Sequence, residues 1–182
     1  LVSTSSPQYD RTDATENGNQ ITLDNAGSGS ATEVVNISGA GDLTITATDA
    51  LTINNSASGE VDLTGTAATT YTHTGSGLLN ITTGVADSTT TASGTGALDF
   101  TDTVAGDTTV TGSSGDDTFR FAGNLDSDDT LVGGTGTDTL RILGDAAALQ
   151  GSATTISVSG IETLRIDSDT AADNLDFDRL SG

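Results

Sequence analysis

The chain of 182 residues contains no cysteine. That excludes disulfides, zinc sites built on thiolates, and thiol chemistry. Lysine is absent too, and the only cations are five arginines. Nucleic acid is therefore not an expected partner, because binding phosphates requires a basic patch. No stretch is apolar and long enough to span a membrane, so membrane insertion is not expected, and no secretory h-region is visible. Proline occurs once, aromatic residues make up 3% of the chain, and there is no methionine at position 1. The chain is thus expected to be an excised or processed piece of a longer protein. Sparse aromatics amid abundant Thr, Ser, Ala and Gly would by themselves suggest disorder, but the internal order of the sequence argues against it.

Carboxylates are plentiful: 22 Asp and four Glu give a formal net charge of −21. Aspartate is the shorter acid, suited to turns, whereas a helical surface would favour Glu and Lys. Residues 133–141 read Gly-Gly-Thr-Gly-Thr-Asp-Thr-Leu-Arg. This is a full match to the nonapeptide G-G-x-G-x-D-x-U-x of calcium-binding parallel β-rolls. A near copy, Gly-Ser-Ser-Gly-Asp-Asp-Thr-Phe-Arg, occupies 112–120.

A longer repeat surrounds these turns. Apolar-x-apolar triplets begin at Leu43, Val61, Leu79, Leu98, Phe119, Leu140 and Leu164, separated by 18, 18, 19, 21, 21 and 24 residues. Each follows a glycine: Gly41, Gly59, Gly77, Gly96, Gly115, Gly136 or Gly160. Eighteen residues are two nonapeptides, one coil of a β-roll. A weaker series lies between them, at Val35–Ile37, Leu51–Ile53, Tyr71–His73, Thr89–Thr91, Thr109–Val110, Leu131–Val132 and Ile156–Val158. The pattern predicts an all-β parallel β-roll or β-helix solenoid with about seven coils of 18–24 residues. Each coil carries two strands on opposite faces, with the central residue of each triplet pointing outward. An antiparallel sandwich also spaces strands every 8–12 residues, but it does not explain why the glycine turn and the spacing repeat together.

The expected organisation is a lead-in over 1–20, metal-poor coils over 21–110 and calcium-binding coils over 111–182. An insertion is expected at 143–155, with one helical turn through Ala146–Gln150, and one more candidate strand at Leu175–Phe177. Two residues beyond each aligned glycine stand Leu43, Val61, Leu79, Leu98, Asp117, Asp138 and Glu162. Carboxylates occupy only the last three, which predicts calcium in the C-terminal half. Calcium takes clustered oxygens from carboxylates and carbonyls. Asp117 and Asp138 are the candidate ligands on one edge, with the carbonyls of Ser114, Gly115, Thr135 and Gly136. On the opposite edge the candidates are Asp126, Asp128 and Asp129. The plainer alternative is that these aspartates simply favour turns and solvate loops.

Arg120, Arg141 and Arg165 are expected to form an outward ladder, and Thr52, Thr72, Thr90 and Thr109 a column on the other face. Such threonine arrays occur on ice-binding solenoids. His73 is the only histidine, at an inward position, and no nucleophile elbow, zinc motif or Walker loop is present. No enzymatic activity is expected.

From Gly112 to Asp167 the chain resembles RTX-type calcium-binding surface proteins of Gram-negative bacteria, especially S-layer proteins and long repetitive adhesins. The resemblance rests on GSSGDDTFRF, GGTGTDTLRI and VSGIETLRID, about a third of the chain. It implies type I secretion, calcium-triggered folding outside the cell, and lattice assembly on lipopolysaccharide. The function it implies is a self-assembling structural module of an extracellular surface layer or filament. Alternatives are a stalk or ligand-binding adhesin segment, for ice or a glycan, and the calcium roll of a secreted hydrolase.

Overall fold

A computed structural model describes residues 20–24, 34–46, 52–66, 68–143, 156–167 and 180–181. It is an all-β parallel solenoid, with no helix among the described residues. One sheet has nine strands. In spatial order they are β1 (Gln20–Asp24), β2 (Val34–Ser38), β4 (Thr52–Asn55), β6 (Thr70–His73), β8 (Ser88–Ala92), β10 (Thr108–Thr111), β12 (Thr130–Val132), β14 (Ile156–Ser159) and β16 (Leu180–Ser181). The other has seven: β3 (Leu43–Thr46), β5 (Val61–Thr66), β7 (Leu79–Thr83), β9 (Leu98–Asp102), β11 (Thr118–Phe121), β13 (Thr139–Ile142) and β15 (Thr163–Ile166). Even and odd strands thus segregate into two sheets, as two strands per coil requires. All pairings are parallel except β1 with β2, which rules out the antiparallel sandwich. The solenoid makes about five turns, fewer than the seven expected. Residues 47–51 and 144–155 lie outside the described residues, as do the expected helical turn and the strand at 175–177.

Period-two alternation puts one side chain in and the next out. The core stacks Ile45, Leu63, Ile81, Phe100, Phe119 and Leu140 down the odd sheet, facing Ile53, Tyr71, Val110 and Leu131 of the even sheet, all buried. Phe100 and Phe121 lie 6.2 Å apart at 47°, a tilted aromatic contact.

The glycines set how closely coils approach. A methyl group built on Gly59 would sit 2.2 Å from the Gly41 carbonyl oxygen, and those on Gly77 and Gly96 would sit 1.9 Å from the carbonyls of Gly59 and Gly77. Each coil edge rests on the backbone of the one before, at a separation that leaves no room for Cβ. Register follows these glycines and departs from the triplets. Phe119 pairs with Phe100, and Asp117 falls in line with Leu98. On the even sheet, Tyr71 pairs with Thr90, so Thr90 is buried while Thr89 and Thr91 are exposed. The expected column Thr52, Thr72, Thr90, Thr109 is therefore incorrect. A slip of one residue exchanges the faces of a strand, and the true outward columns are Thr52-Thr70-Thr89-Thr109-Thr130 and Thr72-Thr91-Thr111.

Replacing Gly77 with Ala should cost about 1–3 kcal/mol, the usual range for overpacking, because the added carbon meets backbone. Gly115→Ala, whose nearest contact is 3.1 Å, should cost clearly less. Thermal unfolding followed by circular dichroism measures both, and equal losses would contradict the close-packed glycine column.

Candidate metal-binding turns

In the first coils the inward column at the start of each odd strand is closed by backbone. The N–H groups of Leu43, Val61 and Leu79 donate to the carbonyls of Glu60, Leu78 and Ala97 at 2.9–3.0 Å. From Leu98 onward the acceptor is a carboxylate of the next coil. Leu98 N donates to Asp117 Oδ1 at 2.6 Å, Asp117 N to Asp138 Oδ1 at 2.8 Å, and Asp138 N to Glu162 Oε2 at 2.7 Å. The aspartates occupy the places that Val61, Leu79 and Leu98 hold upstream and are as buried as these, with Asp117 and Asp138 each 1% exposed. A buried carboxylate is tolerated only when its oxygens are paired, and these N–H groups supply part of that pairing.

The two nonapeptide turns then diverge at one residue. In 112–120 the second position is Ser113, whose N–H and hydroxyl both donate to Asp117, at 2.6 and 2.9 Å. In 133–141 the same position is Gly134, with φ of 108°, and its N–H makes no bond to Asp138 Oδ2, the oxygen whose counterpart in Asp117 is held by the Ser113 N–H. Asp138 Oδ2 is left buried without a hydrogen-bond partner. The imperfect copy of the motif satisfies its own carboxylate, and the perfect copy leaves one oxygen open. Gly136 also has positive φ, 133°, as the sharp turn demands.

Ser114, Gly115, Thr135 and Gly136 sit at the tips of these stacked turns, beside Asp117 and Asp138. Asp116, not singled out from sequence, accepts Thr137 N at 2.8 Å. On the opposite edge Asp129 is buried and accepts Thr108 N at 2.8 Å and Asp126 N at 2.7 Å. Asp126 and Asp128 are exposed and closed on one another, Asp128 N donating to Asp126 Oδ1 at 2.9 Å. Asp102 was also missed. It is buried, taking Thr108 Oγ1 at 2.6 Å, Val104 N at 3.0 Å and Thr83 Oγ1 at 3.3 Å. The signal was its position two residues after Phe100, which alternation places inward. Among the described residues no group of three or more Asp, Glu or His is arranged to hold an ion. The donor set therefore fits calcium in part: one orphaned carboxylate oxygen, with Asp117 engaged by backbone.

His73 is fully buried on the even-sheet side. Asn55 Nδ2 lies 3.2 Å from its Nδ1, and its Nε2 has no partner. No protein-family model, curated protein or solved structure matches the chain.

Burial dominates the titration of these groups. It raises the carboxyls of Asp117 and Asp138, and it lifts Asp129 to about 6, with the charges of Asp126 and Asp102 adding to the rise. Burial lowers His73. A carboxyl whose pKa is raised by folding stabilises fully below its unfolded value of 3.8 and loses that contribution as pH rises through about 6. A lowered histidine works the other way, losing stability as pH falls below its ordinary value of 6.5. In chelator, unfolding midpoints should rise as pH falls from 7 towards 5, more so in His73→Asn, and the slope should flatten in Asp129→Asn. A wild-type midpoint that falls steadily over that window would contradict the carboxylate burial.

Proposed function

We propose that this chain is a structural, self-assembling module of an extracellular bacterial surface layer or filament, folded and rigidified by calcium. The observation that carries the calcium part is the buried, unpartnered Asp138 Oδ2 in the one perfect nonapeptide. Asp138 would hold the ion, with Asp117 and the carbonyls of Ser114, Gly115, Thr135 and Gly136. Asp126, Asp128 and Asp129 would be the second set. Calcium supplies a positive charge that stacked carboxylates otherwise lack. The chain's own residues do the rest: Ser113 and the N–H groups of Leu98, Asp117 and Asp138 fix the carboxylates in line along the coil edge. Binding and folding are then coupled, because the aligned edge exists only in the folded chain. The low calcium inside cells would leave the chain loose until export. The resemblance to RTX surface proteins supports this setting and a cell-surface glycan or lipopolysaccharide as anchor.

A second reading, a ligand-binding adhesin segment for ice or a glycan, is favoured by the even sheet. Its two threonine columns carry no charged side chain from β4 to β14, although the whole chain has a net charge of −21.

Calcium at about 100 times its Kd would add about 2.7 kcal/mol, worth roughly 5–10 °C in midpoint for a chain of this size. EGTA should reverse that gain. Asp138→Asn keeps an acceptor for Asp117 N, so it should preserve the metal-free midpoint while cutting the calcium gain. Electron microscopy with calcium should show ordered sheets or filaments. An identical midpoint with and without calcium would remove the metal from the proposal, and dispersed monomers that bind ice or glycan would favour the second reading.

A further inference from the structure

The outward face of the odd sheet divides its charges. One column runs Thr44, Asp62, Asn80, Asp99 and then Thr118. The neighbouring column is threonine in the early coils, Thr64, Thr82 and Thr101, and then becomes Arg120, Arg141 and Arg165. Three of the chain's five cations therefore line one end of one face, and acids line the other. Glu60 joins the acidic end, accepting Asn80 Nδ2 at 2.8 Å, while Asp62 accepts the same group at 2.6 Å. A shallow hollow of about 360 Å³ opens there, lined in part by Thr44, Asp62, Asn80, Asp99 and Thr101. At the basic end the arginines stand outward, and Arg165 is the most exposed, with 63% of its side chain accessible. Arg120 pairs with Asp99 where the two halves meet, while Arg141 and Arg165 share Asp167.

We propose that this face docks a second copy of the same chain, turned end for end. A two-fold axis along the strands, between β9 and β11, sets the arginine end of each copy on the acidic hollow of the other. Such a contact is isologous and closes on itself. It brings Arg165 of one copy to Asp62 and Glu60 of the second, and lets Arg120 and Asp99 exchange partners across the axis. A negatively charged glycan or phosphate is the weaker candidate. Such an anion would answer only the arginine end, whereas a second copy also answers the Asp62 and Glu60 carboxylates at the acidic end. Six overlapping rungs at about 4.8 Å and strands of about 15 Å give a face near 430 Å² per copy, roughly half of a standard interface. The dimer is accordingly weak, electrostatic and sensitive to salt. This inference deepens the assembly reading by naming one contact, and it does not depend on calcium.

The test is sedimentation of the full chain at high micromolar concentration, at 150 and 500 mM NaCl, the lower salt already screening repulsion between two chains of charge −21 beyond about 8 Å. The wild type should be dimeric at low salt and monomeric at high salt. Arg165→Asp should be monomeric in both. The double variant Asp62→Arg with Arg165→Asp should recover the low-salt dimer, because the swapped charges meet again across the axis. Circular dichroism and the unfolding midpoint of each variant confirm that it is folded. A wild-type monomer at low salt, a dimer unaffected by Arg165→Asp, or a double variant that stays monomeric overturns the proposal, as does an Arg165→Asp dimer defect accompanied by lost binding to an anionic glycan. Ordered arrays that persist in Arg165→Asp would remove this face while leaving the assembly reading intact. A charge-dependent dimer that never forms arrays would do the reverse.

Discussion

Everything in this molecule depends on the hydrogen-bonded approach of one coil to the next. The strand separation is fixed at about 4.8 Å by backbone pairing, and every other feature must be compatible with it. Glycine sits where backbone meets backbone edge-on, as at Gly59, Gly77 and Gly96. Identical or similar side chains stack inside because the register carries each position over its predecessor. Where a coil edge lacks a carbonyl in the right place, a carboxylate substitutes for it, and this is how aspartate enters an otherwise apolar column at Asp117 and Asp138.

That substitution changes how the acidic turns are understood. Asp117, Asp129 and Asp138 are first of all acceptors for the preceding coil's N–H groups. The cation-holding role proposed for them would come on top of that and could use only oxygens the backbone leaves over. Ser113 consumes the spare oxygen capacity in one turn, and Gly134 does not in the next. The aim of one backbone N–H thus separates a self-contained turn from one that is left electrostatically incomplete.

Much of this was legible in the sequence. The glycine spacing revealed the solenoid, the alternation of Val61-Asp-Leu63 or Leu79-Asn-Ile81 revealed in from out, and the glycine-plus-two column located Asp117 and Asp138. The threonine column was misread because Thr89-Thr90-Thr91 offers no apolar residue to show which member faces inward. The register there is imposed by the glycine edges of neighbouring coils, which local pattern cannot reveal. Asp102 and Ser113 were overlooked for a related reason. Their importance lies in partners 4 to 19 residues away, brought close by the turns and by coiling. Nor could the number of residues in a turn foretell that Asp126 and Asp128 would close on each other at the surface.

One feature at the end of the stack bears on how such a protein can change over time. Strand β1 runs against β2, whereas every later pairing is parallel. A parallel stack is a template that accepts another unit of the same polarity, so coils can be duplicated or deleted within it at little cost to their neighbours. A reversed strand offers the wrong hydrogen-bonding pattern for a further unit of that kind. Changes in length are therefore directed into the body of the stack, and the ladders of charge and hydroxyl on its faces lengthen or shorten in whole rungs.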